Sequence, residues 1–284
     1  MATSTSFSTS PSNTIEHREQ AAQPPRAYDY GGNPLARTDT ASTRLPAFGG
    51  AAQPGAYKPP SPNAANPAPL GLAGFALTTF VLSLVNLGTC GLSDPSIVIG
   101  PAYAYGGLIQ LLAGMWEIAL GNVFGGTALS SYGGFWIGVA IILTPGGFNI
   151  ENAYATTADF YGAFSFYLYG WFIFTFLLWL CTLKSTVAFS SLLLTVWLTF
   201  LLLATSYLEA NNNGGTPNVG LTRAGGATGI VAAFLAWWNM LAGIADPSNS
   251  LFLIPVLHFP WSDKGRERRY ERATRKREAD ELEA

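Results

Sequence analysis

The feature that most constrains this chain is a long block, positions 66–262, that carries almost no charge. Only two of the fifteen Lys and Arg residues lie in it, Lys184 and Arg223, with six of the seventeen acidic residues. The surface of a soluble protein needs interspersed charges to stay in solution. Most of this block must therefore face lipid.

Apolar runs within this block predict six transmembrane helices. A helix needs roughly 20 predominantly apolar residues to cross the hydrocarbon core. Runs of this kind, interrupted mainly by glycine, which membrane helices tolerate, occupy the ranges 70–88, 99–120, 124–144, 162–183, 186–208 and 226–245. The predicted fold class is an all-α membrane protein, a six-transmembrane-helix bundle.

The chain divides into three predicted regions. Residues 1–65, rich in Ser, Thr, Pro, Ala and Gly, are expected to form a disordered tail. Residues 66–246 form the predicted six-helix transmembrane domain. Residues 247–284 begin with an apolar stretch broken by prolines, which we expect to be an interfacial or docked segment. They end in alternating basic and acidic residues typical of a solvated helix.

Basic residues near the predicted spans indicate the orientation. With six helices both tails lie on one side, and cytoplasmic segments are enriched in Lys and Arg. That side carries Lys58, Lys184 and the basic cluster after residue 263, whereas the opposite side carries only Arg223, in a predicted loop over 209–225. We therefore expect an integral, multi-pass protein with both termini in the cytoplasm.

The sequence contains no pattern that predicts a cofactor, a metal site or catalysis. Cys90 and Cys181 fall near opposite faces of the predicted bundle, too far apart for a disulfide, so free thiols are expected. Metal-ligand spacings and a nucleotide-binding glycine fingerprint are absent. No nucleophile–base pair or paired carboxylates fall within a plausible intramembrane site. We predict neither an enzyme nor a nucleic-acid-binding protein.

The segment NPAPLGLAGF at 66–75 is the most informative stretch. Asn is a favoured N-cap, and prolines in a first helical turn lack only N–H groups that would be orphaned anyway. The segment places the Asn66 amide and unpaired backbone donors at the cytoplasmic mouth of the first helix. The helix dipole is positive there, so an anion is welcome.

Further motifs follow this segment in order: YGG at 105–107 with Gln110 and Glu117, GNVFG at 121–125, SYGGFW at 131–136 and TLK at 182–184. Together they resemble the acetate uptake transporter family, which includes a bacterial succinate–acetate permease and fungal acetate and ammonium transporters. The resemblance covers about 66–246. It implies a hexamer with one conducting path in each subunit, and a plasma-membrane location.

The resemblance also implies a narrow hydrophobic constriction. In that family it is formed by an aromatic residue on helix one, a tyrosine on helix three and an aliphatic residue on helix five. Phe75 and Tyr132 match the first two positions. An ungapped count from the TLK motif places Val196 at the third, where the family commonly has leucine.

Polar residues within the predicted spans fit weak binding of a small carboxylate. Permeation requires binding that is weak enough for release, and no Lys or Arg is predicted mid-membrane. Contacts could come from amides and hydroxyls: Asn66, Asn86, Tyr103, Tyr105, Gln110, Tyr132 and Asn239. A carboxylate anion is costly in low dielectric whereas the protonated acid is not. We expect uptake of the protonated acid or cotransport of anion and proton.

Glu117 is the one ionisable residue predicted well inside a span. It could act as a proton relay or entrance gate, or form a structural hydrogen bond between helices. Its place in the last turn of helix two, near the interface, favours the structural role. For Gln110, two turns deeper, substrate contact and polar packing between helices are equally favoured.

The predicted cargo is acetate and related small monocarboxylates. Export of ammonium or ammonia is the alternative, which an uncharged path does not favour. A non-transporting membrane receptor or structural protein is the alternative of another class. Glycine pairs with GxxxG spacing favour close helix packing and allow a homo-oligomer: Gly121 and Gly125, Gly134 and Gly138, Gly225 and Gly229.

Overall fold

The computed structural model describes residues 65–283, and this part of the chain is predominantly helical. Six helices are long and apolar enough to cross a membrane, as predicted. They are α1 (Ala68–Leu87), α2 (Pro95–Ala119), α3 (Val123–Leu143), α4 (Thr157–Cys181), α5 (Val187–Leu208) and α6 (Val219–Ile244). A polar seventh helix, α7 (Asp263–Glu283), follows. The tail predicted over 1–65 lies outside the described residues except for its last position.

Two spans begin earlier than the sequence predicted, because a side-chain cap starts each of them. α4 begins at 157 rather than 162, and the Thr156 hydroxyl accepts a backbone N–H of its first turn. α6 begins at 219 rather than 226, and the Asn218 amide oxygen caps it in the same way. Arg223 therefore lies inside α6, and its predicted place in a loop over 209–225 is wrong.

The start of α1 also differs from the prediction by one residue. The N-cap position is Pro67, which has no side chain able to accept a hydrogen bond. Asn66 still satisfies an orphaned donor, because its side-chain oxygen accepts from the N–H of Ala68 at 3.0 Å. The asparagine thus caps the helix from one position further out.

α2 is not a regular α-helix. It opens with a 3₁₀ turn, Pro95–Val98, and contains a π-helical turn, Ala104–Ile109, that includes the YGG motif. α1 packs directly on this turn: a Cβ at Gly74 would lie 2.5 Å from the carbonyl oxygen of Tyr105. π turns inside helices are uncommon and occur frequently at functional sites.

Glycine allows α1 and α6 to approach closely. A Cβ at Gly226 would lie 2.7 Å from backbone atoms of both Ser83 and Leu87. Gly229 also faces Ser83, so this glycine-rich face packs inside one subunit. In contrast, Gly121 lies in the turn before α3 at φ 85°. It therefore supplies a left-handed turn and not the helix-packing face that its spacing suggested.

The six spans form a closed ring. α1 contacts α2 and α6, α5 contacts α4 and α6, and α2 contacts α3. Large aromatic side chains bridge the remaining gap between α3 and α4: the Phe135 and Trp171 ring centroids are 5.1 Å apart, and Tyr132 lies 6.0 Å from Trp171. These side chains close the ring while keeping the two backbones apart.

The segment between α6 and α7 docks on the turn between α4 and α5. The N–H of Val187 donates to the carbonyl of Leu257 at 2.7 Å, and the indole of Trp261 donates to the carbonyl of Leu183 at 2.6 Å. Both described cysteines are free, as the sequence predicted, and both are exposed.

Candidate functional site

A cavity of about 80 Å³ lies at the centre of the helix ring, and we call it the inner cavity. All six spans contribute to its wall, which includes Phe75 from α1 and Val196 from α5. Most of the other lining residues are apolar: Leu82, Phe135, Val139, Leu143, Phe164, Leu168, Phe200, Leu203 and Ala232. The centre of the bundle therefore contains a small, largely apolar chamber.

The aromatic residues expected at the constriction meet next to this chamber. The ring centroids of Phe75 and Tyr132 are 5.8 Å apart, and both side chains are buried. The Tyr132 hydroxyl donates to the hydroxyl of Thr175 on α4 at 2.9 Å. Because its hydroxyl is occupied by Thr175, Tyr132 contributes mainly an apolar ring to this contact with Phe75.

Two residues on the wall of the inner cavity carry a buried polar atom without a partner in the described chain. They are Thr79, through its hydroxyl, and Trp136, through its indole N–H. A buried polar group without a hydrogen bond costs about 1–3 kcal/mol. A solute or water with an accepting oxygen would lower that cost.

A larger cavity of about 660 Å³, the vestibule, lies at the end of the bundle where α1 and α3 end and α4 and α6 begin. Five residues line both the vestibule and the inner cavity: Asn86, Pro95, Leu143, Phe164 and Tyr207. The two cavities therefore adjoin one another. The side chain of Asn86 marks their junction.

The vestibule is the more polar of the two cavities, and its wall includes Arg223, Asp94 and Glu151. Ser96 donates to one oxygen of Asp94 from its hydroxyl at 2.6 Å and from its N–H at 2.8 Å. These hydrogen bonds lower the pKa of Asp94 below its usual value, so the carboxylate stays ionised in mildly acidic solution.

The residues expected to line a substrate path do not all meet at one place. Phe75, Asn86 and Val196 line the inner cavity, and Tyr132 contacts Phe75. The others lie away from both cavities: Asn66 is exposed, Asn239 donates to the Leu235 carbonyl of its own helix, Tyr103 shares a hydrogen bond with Thr144, and Tyr105 lies in the π turn.

Gln110 and Glu117 are both buried but line neither cavity. Gln110 has 0% exposure, and both polar atoms of its side chain lack a partner in the described chain. Glu117 lies in the last turn of α2, as predicted, yet it is only 3% exposed, with one oxygen unpartnered. The exposure expected for Glu117 near the interface is not found, because the first turn of α3 packs beside it: a Cβ at Gly125 would lie 3.1 Å from Oε2 of Glu117.

Sequence reasoning missed three polar residues of this region: Thr79, Thr175 and Arg223. Thr79 and Thr175 lie well inside predicted spans, where a polar side chain needs a partner or a function. That was an available signal for both. Arg223 was missed because the start of α6 was placed too late along the chain.

The described residues offer no metal site. Within 65–283 no three His, Cys, Asp or Glu side chains are grouped closely enough to hold an ion. The chemistry available at the two cavities is therefore hydrogen bonding, apolar contact and the charges of the vestibule.

Comparison with known proteins gives a consistent result. The model of the GPR1/FUN34/yaaH family matches residues 48–261. Acetate permease A of Emericella nidulans is 57% identical over 245 residues, covering 84% of this chain and 82% of that protein. Ammonia transport outward protein 2 of Saccharomyces cerevisiae is 50% identical over 219 residues, covering 77% of this chain and 75% of that protein.

A solved structure, that of the bacterial acetate channel SatP, matches the fold. Its TM-score is 0.57 at 30% sequence identity, and the match covers 68% of this chain and 99% of the channel. The six-span architecture is therefore shared with a protein of known structure.

Proposed function

The chain belongs to the GPR1/FUN34/yaaH family, and we propose that it transports acetate and related small monocarboxylates across a membrane. The acetate permease and the acetate channel among its relatives support this cargo. The same comparisons support a transport role over an enzymatic one, and over a receptor or structural role.

The inner cavity is the observation that carries the proposal. A water molecule requires about 10–15 Å³ of cavity volume measured this way, so about 80 Å³ accommodates roughly five to eight water-sized groups. Acetate has four non-hydrogen atoms and succinate has eight. The chamber therefore accommodates acetate easily, whereas a four-carbon diacid would fill it.

The wall of the inner cavity suits the methyl group of acetate because most of it is apolar, and it suits the carboxyl group through a few polar side chains. Phe75 and Val196 offer apolar contact, and the Thr79 hydroxyl and Trp136 indole N–H are donors without a partner in the described chain. Tyr132 restricts the space beside Phe75. We assign Phe75, Tyr132 and Val196 to the constriction and Asn86 to its approach from the vestibule.

Transport is proposed to be proton-linked, either as the protonated acid or as anion and proton together. The inner cavity has no ionisable residue on its wall except Tyr207. A bare carboxylate would be poorly solvated in such a place, whereas a neutral acid would not. Gln110, Glu117, Asn66, Tyr105 and Asn239 remain candidates for the other parts of the path.

Export of ammonia is the second candidate function. One relative, 50% identical to this chain over the aligned residues, is named for outward ammonia transport. The vestibule carboxylates Asp94 and Glu151 would favour a cation at the mouth. The inner cavity offers a cation no carboxylate. Methylammonium uptake in the absence of acetate measures this activity directly.

The assembly and topology are also proposals: a homohexamer with one path per subunit, in the plasma membrane, with both termini in the cytoplasm. The two exposed cysteines test the topology, because Cys90 follows α1 and Cys181 ends α4, at opposite ends of the bundle. A membrane-impermeant maleimide added to intact cells should label Cys90 and spare Cys181. The reverse pattern would place the termini outside.

The test of cargo is uptake of labelled acetate by purified protein in liposomes, with and without an inward proton gradient. We expect uptake that follows the gradient and is lost in empty liposomes. Uptake independent of pH, with the inward gradient of each acid species held constant, would contradict proton linkage. No uptake by correctly inserted protein would contradict acetate transport itself.

A further inference from the structure

The geometry points to an anion-binding station in the vestibule, in which Arg223 holds the carboxylate of the substrate before it enters the inner cavity. This inference rests on the proposed function and assigns a residue to the first contact with the substrate. The class of ligand is a small monocarboxylate anion.

Arg223 carries a guanidinium that has no partner among residues 65–283. Within residues 65–283 the one ion pair joins Arg266 and Asp263, far along the chain, and the Arg223 side chain makes no hydrogen bond to any of these residues. The side chain is exposed on the vestibule wall. An unpaired guanidinium on a cavity wall has its donors free to bind a carboxylate in a two-pronged arrangement.

The C-terminal end of α1 lies beside this side chain. Gly88, the residue that follows α1, is in the left-handed conformation, at φ 76°. A Cβ at Gly88 would lie 3.8 Å from Nε of Arg223, so the guanidinium lies directly over the helix end. The C-terminal end of a helix carries partial negative charge, which favours a cation there. The partial charge at the helix end thus favours the arginine at this position and leaves most of its positive charge unneutralised.

None of the described acidic residues at this end of the bundle pairs with Arg223. Ser96 already occupies one oxygen of Asp94, and the Asn218 amide donates to Glu209 at 2.5 Å. Glu151 is the remaining acid on the vestibule wall, and it is exposed to solvent. None of the three forms an ion pair with Arg223.

Arg223 also lies on the route to the inner cavity. Its neighbours on the vestibule wall include Asn86 and Tyr207, which line the inner cavity as well. The Asn86 side chain makes no hydrogen bond within the described chain, so its amide is free to donate. A carboxylate released by Arg223 would therefore meet a neutral donor next, at the entrance to the apolar chamber.

The experiment compares Arg223→Gln with Lys184→Gln, which removes the same charge at the opposite end of the bundle. Acetate uptake is measured over a range of concentrations in cells or oriented vesicles whose vestibule side faces the added acetate. We expect Arg223→Gln to raise the half-saturation concentration about tenfold, as for the loss of one charge-assisted hydrogen bond. Its maximum rate should change less than about twofold, and Arg223→Lys should recover most of the loss.

A second readout separates this site from the proposed function. Saturation-transfer NMR of acetate with the purified protein detects binding whether or not transport occurs. A signal that weakens in Arg223→Gln and not in Lys184→Gln supports the station, even if the wild-type protein gives no flux. An unchanged half-saturation concentration and NMR signal in Arg223→Gln would overturn it, as would equal effects of both variants.

Discussion

The Tyr132 hydroxyl donates a 2.9 Å hydrogen bond to the Thr175 hydroxyl, and this bond joins α3 to α4 beside the inner cavity. Both residues are buried, at 3% and 0% exposure. The bond is compatible with a tyrosine in the proposed apolar constriction. Its hydroxyl is satisfied by a neighbouring helix, and its ring remains to face Phe75.

Replacing Thr175 with Val should destabilise the protein by about 1–3 kcal/mol, because the Tyr132 hydroxyl would be left buried without an acceptor. The double variant Tyr132→Phe/Thr175→Val should lose less, since it removes both polar groups. Thermal unfolding in detergent measures both effects. Equal or greater loss in the double variant would show that the bond has no energetic role.

Val196 should set the size limit of the inner cavity. Val196→Ala removes two methyl groups from its wall, and a methylene of space in an apolar pocket changes selectivity by about tenfold or more. We expect propionate and butyrate uptake to rise relative to acetate in this variant. Leu194→Ala on the same helix, where the side chain is exposed, is the control. Competition with labelled acetate gives the ratios, and an unchanged ratio in Val196→Ala would remove Val196 from the path.

Gly226→Ala should disturb the contact between α1 and α6. The new Cβ would meet backbone atoms, which cannot swing aside, so the helices must separate. Overpacking of this kind costs about 1–3 kcal/mol. Gly134→Ala is the matched control, because a Cβ there has no atom of the described chain within 4 Å. Size-exclusion profiles and melting temperatures should separate the two variants, and equal behaviour would mean that the close approach is unimportant.

Glu117→Gln should leave the melting temperature close to that of wild type and acetate flux within about twofold of it, because the amide keeps the shape of this buried side chain. Glu117→Ala should lower stability by about 2 kcal/mol or more, through the space that it leaves. Melting temperature and proton-driven uptake measure these effects. Loss of proton-driven uptake in a stable Glu117→Gln protein would instead establish the proton relay.

The sequence predicted the spans well where hydrophobicity alone defines them, and less well where a cap does. α5 was predicted at 186–208 and is found at Val187–Leu208, because its ends coincide with the ends of an apolar run. The start of α6 contains Gly220, Thr222 and Arg223, which carry no apolar signal. The Asn218 cap starts the helix there, and a hydrophobicity pattern cannot predict a start that depends on a polar cap.

The candidate site was also predictable only in part from the sequence. Phe75 and Val196 were predicted from linear motifs, and the fold brings them onto one wall. The Thr175 contact with Tyr132 spans 43 positions along the chain. Such a pairing depends on the rotation of two helices about their axes. Local sequence patterns do not determine that rotation in spans that are apolar on all sides.

The π turn in α2 makes the length of that helix as important as its composition. Such a turn is equivalent to one residue added to an α-helix, and each α-helical residue turns the chain by about 100°. Deleting one residue within 104–109 would let the helix become regular while the residues beyond it keep their present faces, because the wide turn already absorbs the extra residue. Gln110 and Glu117 would therefore stay in the interior. A one-residue deletion in the regular part of α2 would instead turn every later residue by about 100°, so α2 should tolerate a deletion better within the π turn than beyond it.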